Sequence, residues 1–139
     1  MDTTATAGRP SPGRLAARRA PDRGAGTIEM AIIALPLLIF TFLVVQAALV
    51  FYARSIALGA ATQGANAARE YGSAPGAGEA NARDFLDRVG VGLEDPEVNV
   101  RTAADSVTVT VTGRATSILP LVSFEVEQSA RGPVERFIP

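Results

Sequence analysis

The 139-residue sequence contains no cysteine, no histidine and no tryptophan, and all 13 of its basic residues are arginine. Without cysteine and histidine there is no disulfide framework, no zinc site of the usual Cys/His kind, no thiol nucleophile and no imidazole base. No phosphate-binding glycine motif follows a predicted strand, and no basic patch is interleaved with aromatic residues. We therefore expect a protein that is not an enzyme, with no cofactor, metal ion, small-molecule substrate or nucleic-acid partner.

The acidic residues do not form a catalytic pair. Asp84 and Asp87 lie three positions apart on a predicted helix, but Arg83 and Arg88 stand beside them, which is typical of a solvated charged face. Residues 94–95 (Glu-Asp) precede a proline and are interpreted as a turn. A calcium site there would need several more oxygen ligands at ordered spacing.

One long uncharged run dominates the chain. Residues 30–53 read MAIIALPLLIFTFLVVQAALVFYA and contain no Asp, Glu, Lys or Arg. An α-helix of that length spans about 36 Å, more than the roughly 30 Å hydrocarbon core of a bilayer. A secretory signal has a shorter apolar core, of about 7–15 residues, and the rest of this chain is too small to bury such a helix. The run therefore predicts a transmembrane helix, with the lipid bilayer as its surroundings.

The distribution of arginine predicts the orientation of that helix. Five arginines precede the run, and such an excess favours retention on the cytoplasmic side. We expect a single-pass protein of the cytoplasmic membrane, with its N-terminus inside and its C-terminal domain outside. Residues 1–24 are rich in Pro, Gly, Ala, Thr and Arg without an apolar period, and they are predicted to be a disordered cytoplasmic leader.

Glu29 stands directly before the apolar run. A carboxylate in or beside a bilayer helix costs on the order of 2–3 kcal/mol, so it usually has a partner or a purpose. If the leader is cut after Gly24, the new α-amine of Ala25 can pair with the Glu29 carboxylate of its own or an adjacent subunit. That arrangement is typical of a class III signal, which prepilin peptidase cuts on the cytoplasmic face. Alternatively, Glu29 only opens the helix, where an acid interacts favourably with the helix dipole.

The surrounding stretch resembles the TadE-like family, the minor pilins (pseudopilins) of tight-adherence (Tad) pilus systems. The matching elements are a basic residue and glycine before Glu29, the apolar residues through 35–38 (LPLL), the exit 51–54 (FYAR) and the alanine-rich 66–70 (NAARE). The resemblance covers residues 23–72. It implies a membrane-anchored component of a pilus or secretion apparatus, with other pilin or Tad-apparatus subunits and a prepilin peptidase as partners. After processing, such a protein can also reside in an extracellular pilus.

Two functions of different classes remain open at this point. In the first, the protein is a structural assembly component that docks or polymerises through its helix. In the second, it is an uncleaved, membrane-tethered extracytoplasmic binding domain with no pilus role. The state of the N-terminus distinguishes them, because only the first predicts a mature chain that begins at Ala25.

Pro36 lies inside the predicted helix. It cannot donate a hydrogen bond to the carbonyl of Ile32 and clashes with it, so a kink or local loosening is expected. Pro36 is therefore a candidate hinge that lets the helix repack when it leaves the bilayer for a fibre. A proline that the membrane helix simply tolerates is the alternative.

The helix is predicted to extend past Arg54, as far as residue 72. Small residues bracketed by larger ones recur there at intervals of three to four, which places them on one face and permits close backbone approach. This candidate helix-packing face consists of Ile56, Ala60, Gly64, Ala67 and Tyr71. It packs either on the protein's own folded domain, which we favour, or on a neighbouring subunit.

Residues 73–139 are predicted to form a small α+β domain. A short helix is expected at about residues 79–89, after which the apolar period changes from 3.6 to 2. Alternating valines then indicate two strands, and a third is expected near residues 124–130. The predicted fold class is thus α+β, with a long N-terminal transmembrane helix that extends into a stalk, one short helix and an antiparallel sheet of about three strands.

The connection at residues 118–122 (ILPLV) is apolar throughout. Three interpretations fit it: a loop packed on the membrane surface, a contact with a partner, or a plug of the core. We favour the core plug, because so small a domain needs every apolar side chain for its core.

Overall fold

The computed structural model describes residues 23–70 and 72–134. Its elements in chain order are helix α1 (Arg23–Arg69), helix α2 (Ala77–Val89) and strands β1 (Leu93–Thr102), β2 (Ser106–Ala115) and β3 (Phe124–Pro133). This confirms the predicted fold class. Of the predicted leader, residues 1–22 lie outside the described residues, as does Tyr71 of the candidate helix-packing face.

The chain divides into two compact units, Met1–Leu35 and Pro36–Pro139. The described part of the first unit is the beginning of α1, whose side chains are exposed from Gly26 to Leu35. The second unit holds the rest of α1, α2 and the sheet. Helix α1 continues without interruption past Pro36.

The sheet in the second unit is an antiparallel meander with the order β1-β2-β3. Val109 of the central strand lies opposite Val100 on one side and Ala130 on the other. Residues directly opposite one another share a face of the sheet, so this register places the alternate apolar residues of all three strands together. The valines of β2 at positions 107, 109 and 111 are at most 1% exposed. The period-2 pattern predicted both the strands and their buried face.

The turn predicted at residues 94–95 is wrong, because both residues belong to β1. The pairing with β2 shifts between Glu94 and Glu97, and Asp95 at this bulge has φ 47. The Asp95 carboxylate forms an ion pair with the Arg114 guanidinium on the neighbouring strand. Pro96 has no N–H to donate to the ladder, so an edge strand accommodates it at a bulge instead of ending there.

The core forms where the alanine-rich part of α1 meets α2 and the sheet. A Cβ built on Gly64 would lie 2.7 Å from the Gly78 carbonyl oxygen, and 3.1 Å from both the Ala82 Cβ and a Val109 Cγ. The hydrogen of a glycine is therefore what allows α1, α2 and β2 to approach each other here. The buried residues around this point are mostly alanine and valine, so the core is thin.

The predicted core plug at residues 118–122 is wrong, because the β2–β3 connection lies outside the core. Leu121 is fully exposed, and Ile118 and Val122 are 41% and 44% exposed. Leu121 also has a positive φ of 65. The alanine face of α1 and the valine face of the sheet fill the available space between them, which leaves these larger side chains on the outside.

The junction between the apolar helix and the folded domain

Helix α1 presents an exposed apolar surface over its first half. Every described side chain from Gly26 to Val45 is exposed, although an 18-residue window of this helix has a mean hydropathy of 2.6. In water such a surface would be unfavourable by about 25 cal/mol for each Å² of apolar area. Within the described residues it is the one helix long and apolar enough to cross a membrane. Helix α1 therefore makes the chain a candidate single-pass, membrane-anchored protein.

The first buried side chain along this helix is Gln46, which is only 3% exposed, although Ala47, Ala48 and Phe51 beyond it are exposed again. Its side chain reaches the β2–β3 connection, where the amide nitrogen donates to the Thr116 carbonyl oxygen at 3.3 Å. Its side-chain oxygen accepts from the Ile118 backbone N–H at 2.9 Å and from the Ser117 hydroxyl at 3.4 Å. A buried amide left without partners would be costly. Both the nitrogen and the oxygen of the Gln46 amide are instead hydrogen-bonded, and these bonds hold the connection against the helix.

An apolar groove of about 280 Å³ opens beside Gln46. Its walls come from α1 on one side and from the β2–β3 connection and the start of β3 on the other. The lining residues are Leu43, Gln46, Ala47, Val50, Phe51, Leu119 and Phe124. Except for Gln46, whose amide is already hydrogen-bonded, every lining side chain is apolar. The groove therefore suits a hydrocarbon ligand and offers little to a polar one.

The candidate processing residues lie at the beginning of α1. Gly24 and Ala25 have helical backbone, and Glu29 follows just over one turn later as an exposed side chain. The candidate hinge Pro36 lies within the same helix. The roles of Gly24, Ala25 and Glu29 in processing, and of Pro36 in bending, stay predictions.

Members of the candidate helix-packing face differ in burial. Ile56, Ala60 and Gly64 are buried and Ala67 is half-buried. Four further alanines of α1 are at most 4% exposed and were not singled out by the sequence: Ala53, Ala57, Ala61 and Ala65. Alanine occurs on all sides of this helix, so its spacing does not separate a buried face from an exposed one. Residues close in sequence do not reveal the buried face either, because the residues that cover these alanines belong to α2 and the sheet.

A second, polar depression of about 390 Å³ lies at the β1 bulge. Its charged lining residues are Asp95, Glu97, Arg114, Glu125 and Glu127. Asp95 is paired with Arg114, and both side chains are largely open to solvent. Within residues 23–70 and 72–134, no group of three or more acidic side chains is placed to hold a metal ion.

The acidic residues of α2 form a solvated charged face, as predicted. Asp84 pairs with Arg88 at 3.0 Å, and Glu79 pairs with Arg83 at 2.9 Å. All four side chains are about half exposed or more. Pairs of this kind, one helical turn apart, add only about 0.3–0.5 kcal/mol each.

Comparison with known protein families matches part of the chain. Residues 24–66 match the family model of TadE-like protein, a range that includes Glu29, the exposed apolar surface and much of the buried alanine face. No curated protein and no solved structure matches the chain. A TadE-like region together with a candidate membrane helix fits a single-pass protein associated with a Tad pilus. Residues 24–66 of this chain are therefore a TadE-like region, which confirms the family resemblance seen in the sequence.

Proposed function

We propose that the protein is a minor pilin-like or pseudopilin-like structural component of a Tad-type pilus or secretion apparatus. The observation that carries the proposal is the coincidence of two features on one helix. The TadE-like match at residues 24–66 covers an apolar surface that is exposed as far as Val45, beyond which the protein's own domain covers one face. The exposed part is free to meet lipid or the helices of other subunits.

The proposed topology follows from the charge distribution. The arginine-rich leader stays in the cytoplasm, and the α+β domain lies on the outer side of the cytoplasmic membrane. The folded domain has no cysteine that would depend on the redox state of that compartment. The lipid bilayer, other pilin or Tad-apparatus subunits and a prepilin peptidase are the proposed partners.

Glu29 has the central role in assembly under this proposal. Cleavage between Gly24 and Ala25 creates a positively charged α-amine four residues before the Glu29 carboxylate. Since an unpaired carboxylate in lipid is costly, its pairing with the α-amine of an adjacent subunit favours docking of one helix against another. We further propose that the role is structural and not catalytic, because it requires only helix packing and this charge pair.

Analysis of the mature N-terminus tests the proposal. The protein is isolated from native membranes of cells that possess a prepilin peptidase, and its intact mass and N-terminal sequence are determined. A mature chain that begins at Ala25 and co-purifies with other Tad subunits supports the assembly role. A retained leader in the same cells overturns processing and favours the uncleaved membrane tether.

The matched experiment uses cells that lack the peptidase. The leader should then be retained, whereas membrane insertion should be unchanged, because the apolar helix is present in both forms. A chain that begins at Ala25 in both strains would show that another protease removes the leader, and the proposed peptidase partner would be wrong.

A further inference from the structure

The β2–β3 connection carries an exposed apolar surface of its own. Leu121 at its tip is fully exposed, and the side chains of Ile118 and Val122 are each more than 40% exposed. A leucine with a positive φ is uncommon outside glycine-like turn positions, and here the turn directs a large apolar side chain away from the core. These three side chains are called the loop surface below.

The loop surface has a fixed place along α1. The Ile118 N–H and the Thr116 carbonyl oxygen both bond to the Gln46 side chain, at 2.9 and 3.3 Å. Leu119 lines the apolar groove together with Leu43 of the helix. The connection thus lies beside the last residues of the exposed apolar surface of α1.

Charge is absent from both neighbouring segments. Residues 115–124 (ATSILPLVSF) contain no Asp, Glu, Lys or Arg, and neither do residues 30–53. A protein partner is usually met through a polar rim around an apolar centre. Here the loop is hydrogen-bonded to Gln46 of the uncharged run and shares the apolar groove with Leu43, so lipid is the occupant that the chemistry favours.

The length of the exposed part of α1 agrees with a bilayer that ends near the β2–β3 connection. Residues 26–45 are all exposed, and a helix of that many residues is about 30 Å long, close to the thickness of the hydrocarbon core. Hydropathy alone predicts a span at about 30–53, whose second half includes Gln46 and the buried Ala53. The burial pattern adds that the folded domain covers one face of the helix from Gln46 onward, whereas Ala47, Ala48 and Phe51 stay exposed.

We propose that the β2–β3 connection is a membrane-seating loop. Leu121 and its two neighbours insert among the lipids of the leaflet that faces the folded domain, and the groove lined by Leu43 and Phe51 receives a lipid acyl chain. This proposal rests on the membrane anchoring in the proposed function. It adds a second lipid contact, which sets the depth and the rotation of the folded domain at the bilayer surface.

Site-directed spin labelling tests the proposal directly, because the chain has no cysteine. Single-cysteine variants Leu121→Cys, Leu38→Cys and Ala103→Cys are labelled and reconstituted into vesicles of phosphatidylethanolamine and phosphatidylglycerol. Leu38 is an exposed residue of the apolar helix, and Ala103 is an exposed residue in the β1–β2 turn, at the other end of β2 from the loop. Label accessibility is measured to oxygen, which concentrates in lipid, and to a water-soluble nickel chelate.

The proposal predicts a higher ratio of oxygen to nickel accessibility at position 121 than at position 103, with position 38 the highest. If position 38 reports lipid but position 121 matches position 103, the loop is in water; the membrane-seating proposal is then overturned and the anchoring is not. If position 38 also reports water, the anchoring fails and the loop proposal fails with it.

A substitution provides the second measurement. Leu121→Asp should lower the ratio for a label at position 122 and leave the ratio at position 38 unchanged. Ala103→Asp is the matched control, since Ala103 is exposed and lies in the β1–β2 turn, at the other end of β2 from the loop. Equal ratios at position 122 in the two variants would overturn the proposal, because a loop that is already in water gains nothing from the charge.

Discussion

The side-chain oxygen of Gln46 accepts a hydrogen bond from the backbone N–H of Ile118 at 2.9 Å, across 72 positions of sequence. One end of this bond lies in the uncharged run of α1, and the other lies in the connection between the last two strands. The same amide donates to the Thr116 carbonyl oxygen. Gln46 therefore marks where the folded domain begins to cover one face of the helix.

Gln46→Ala should destabilise the folded domain. The substitution leaves the Ile118 N–H and the Thr116 carbonyl oxygen without their partner, and unsatisfied buried groups cost about 1–3 kcal/mol. Hydrogen exchange at the Ile118 amide in the detergent-solubilised protein should become faster. Gln63→Ala is the control, because Gln63 is an exposed residue of the same helix. Equal exchange rates in the two variants would contradict the anchoring role of Gln46.

Gly64→Ala should be destabilising even though alanine is the better helix former. The added Cβ would lie 2.7 Å from the Gly78 carbonyl oxygen, and relief of such overpacking costs about 1–3 kcal/mol. Thermal unfolding followed by circular dichroism should show a lower Tm. Gly26→Ala serves as the control, because a Cβ there meets no other atom within 4 Å, and its Tm should not fall.

Val109→Ala should destabilise the domain by about 2 kcal/mol, because it removes apolar surface from a closed core position and leaves a small cavity. Val109 is fully buried on the central strand. Val91→Ala is the same chemical change at a residue that is 82% exposed, and it should shift the denaturant midpoint little. Similar midpoints for the two variants would show that β2 is not at the centre of the core.

Glu29→Ala should leave membrane insertion intact and reduce co-purification with other Tad subunits. Loss of the carboxylate removes a charge that is costly in lipid, so insertion does not suffer, whereas the proposed pairing with an α-amine is lost. Carbonate extraction measures insertion, and pull-down from native membranes measures assembly. Glu127→Ala changes an exposed acid of β3 and should alter neither. Unchanged assembly in Glu29→Ala would remove Glu29 from its proposed role.

Arg114→Ala should have a small effect on stability despite the close Asp95–Arg114 ion pair. The two side chains are 49% and 75% exposed, and exposed pairs contribute only about 0–1 kcal/mol. Denaturant unfolding at low and at high salt measures the contribution, which should shrink as salt screens the pair. A large, salt-independent loss would mean that Arg114 supports the β1 bulge through packing instead of charge.

Local patterns were sufficient to predict the elements of the fold. The uncharged run at residues 30–53 predicts a long helix, because no other regular structure of that length satisfies its backbone in lipid. The valines of β2 alternate with threonines, and that period of two predicts both a strand and its buried face. The TadE-like resemblance was likewise visible in consecutive residues of α1 and was confirmed by the family match.

Long-range packing decided what the patterns left open. Alanines such as Ala57 and Ala65 are buried only because α2 and the sheet cover them, and their own spacing carries no such information. Leu121 is apolar and yet exposed, because the thin core is filled by smaller side chains from elsewhere. Hydropathy alone places Gln46 within a predicted span at about residues 30–53 and gives no sign that its side chain is buried by the folded domain.

A long apolar helix, a short helix and a valine-rich sheet follow from residues close together along the chain, so local patterns predict them. The position of the β2–β3 connection, outside the core and hydrogen-bonded to Gln46, follows only from packing between distant parts of the chain. That contact joins residues 70 to 72 positions apart. It exists because a buried amide and the unpaired backbone groups of the connection satisfy one another once the sheet has folded against the helix.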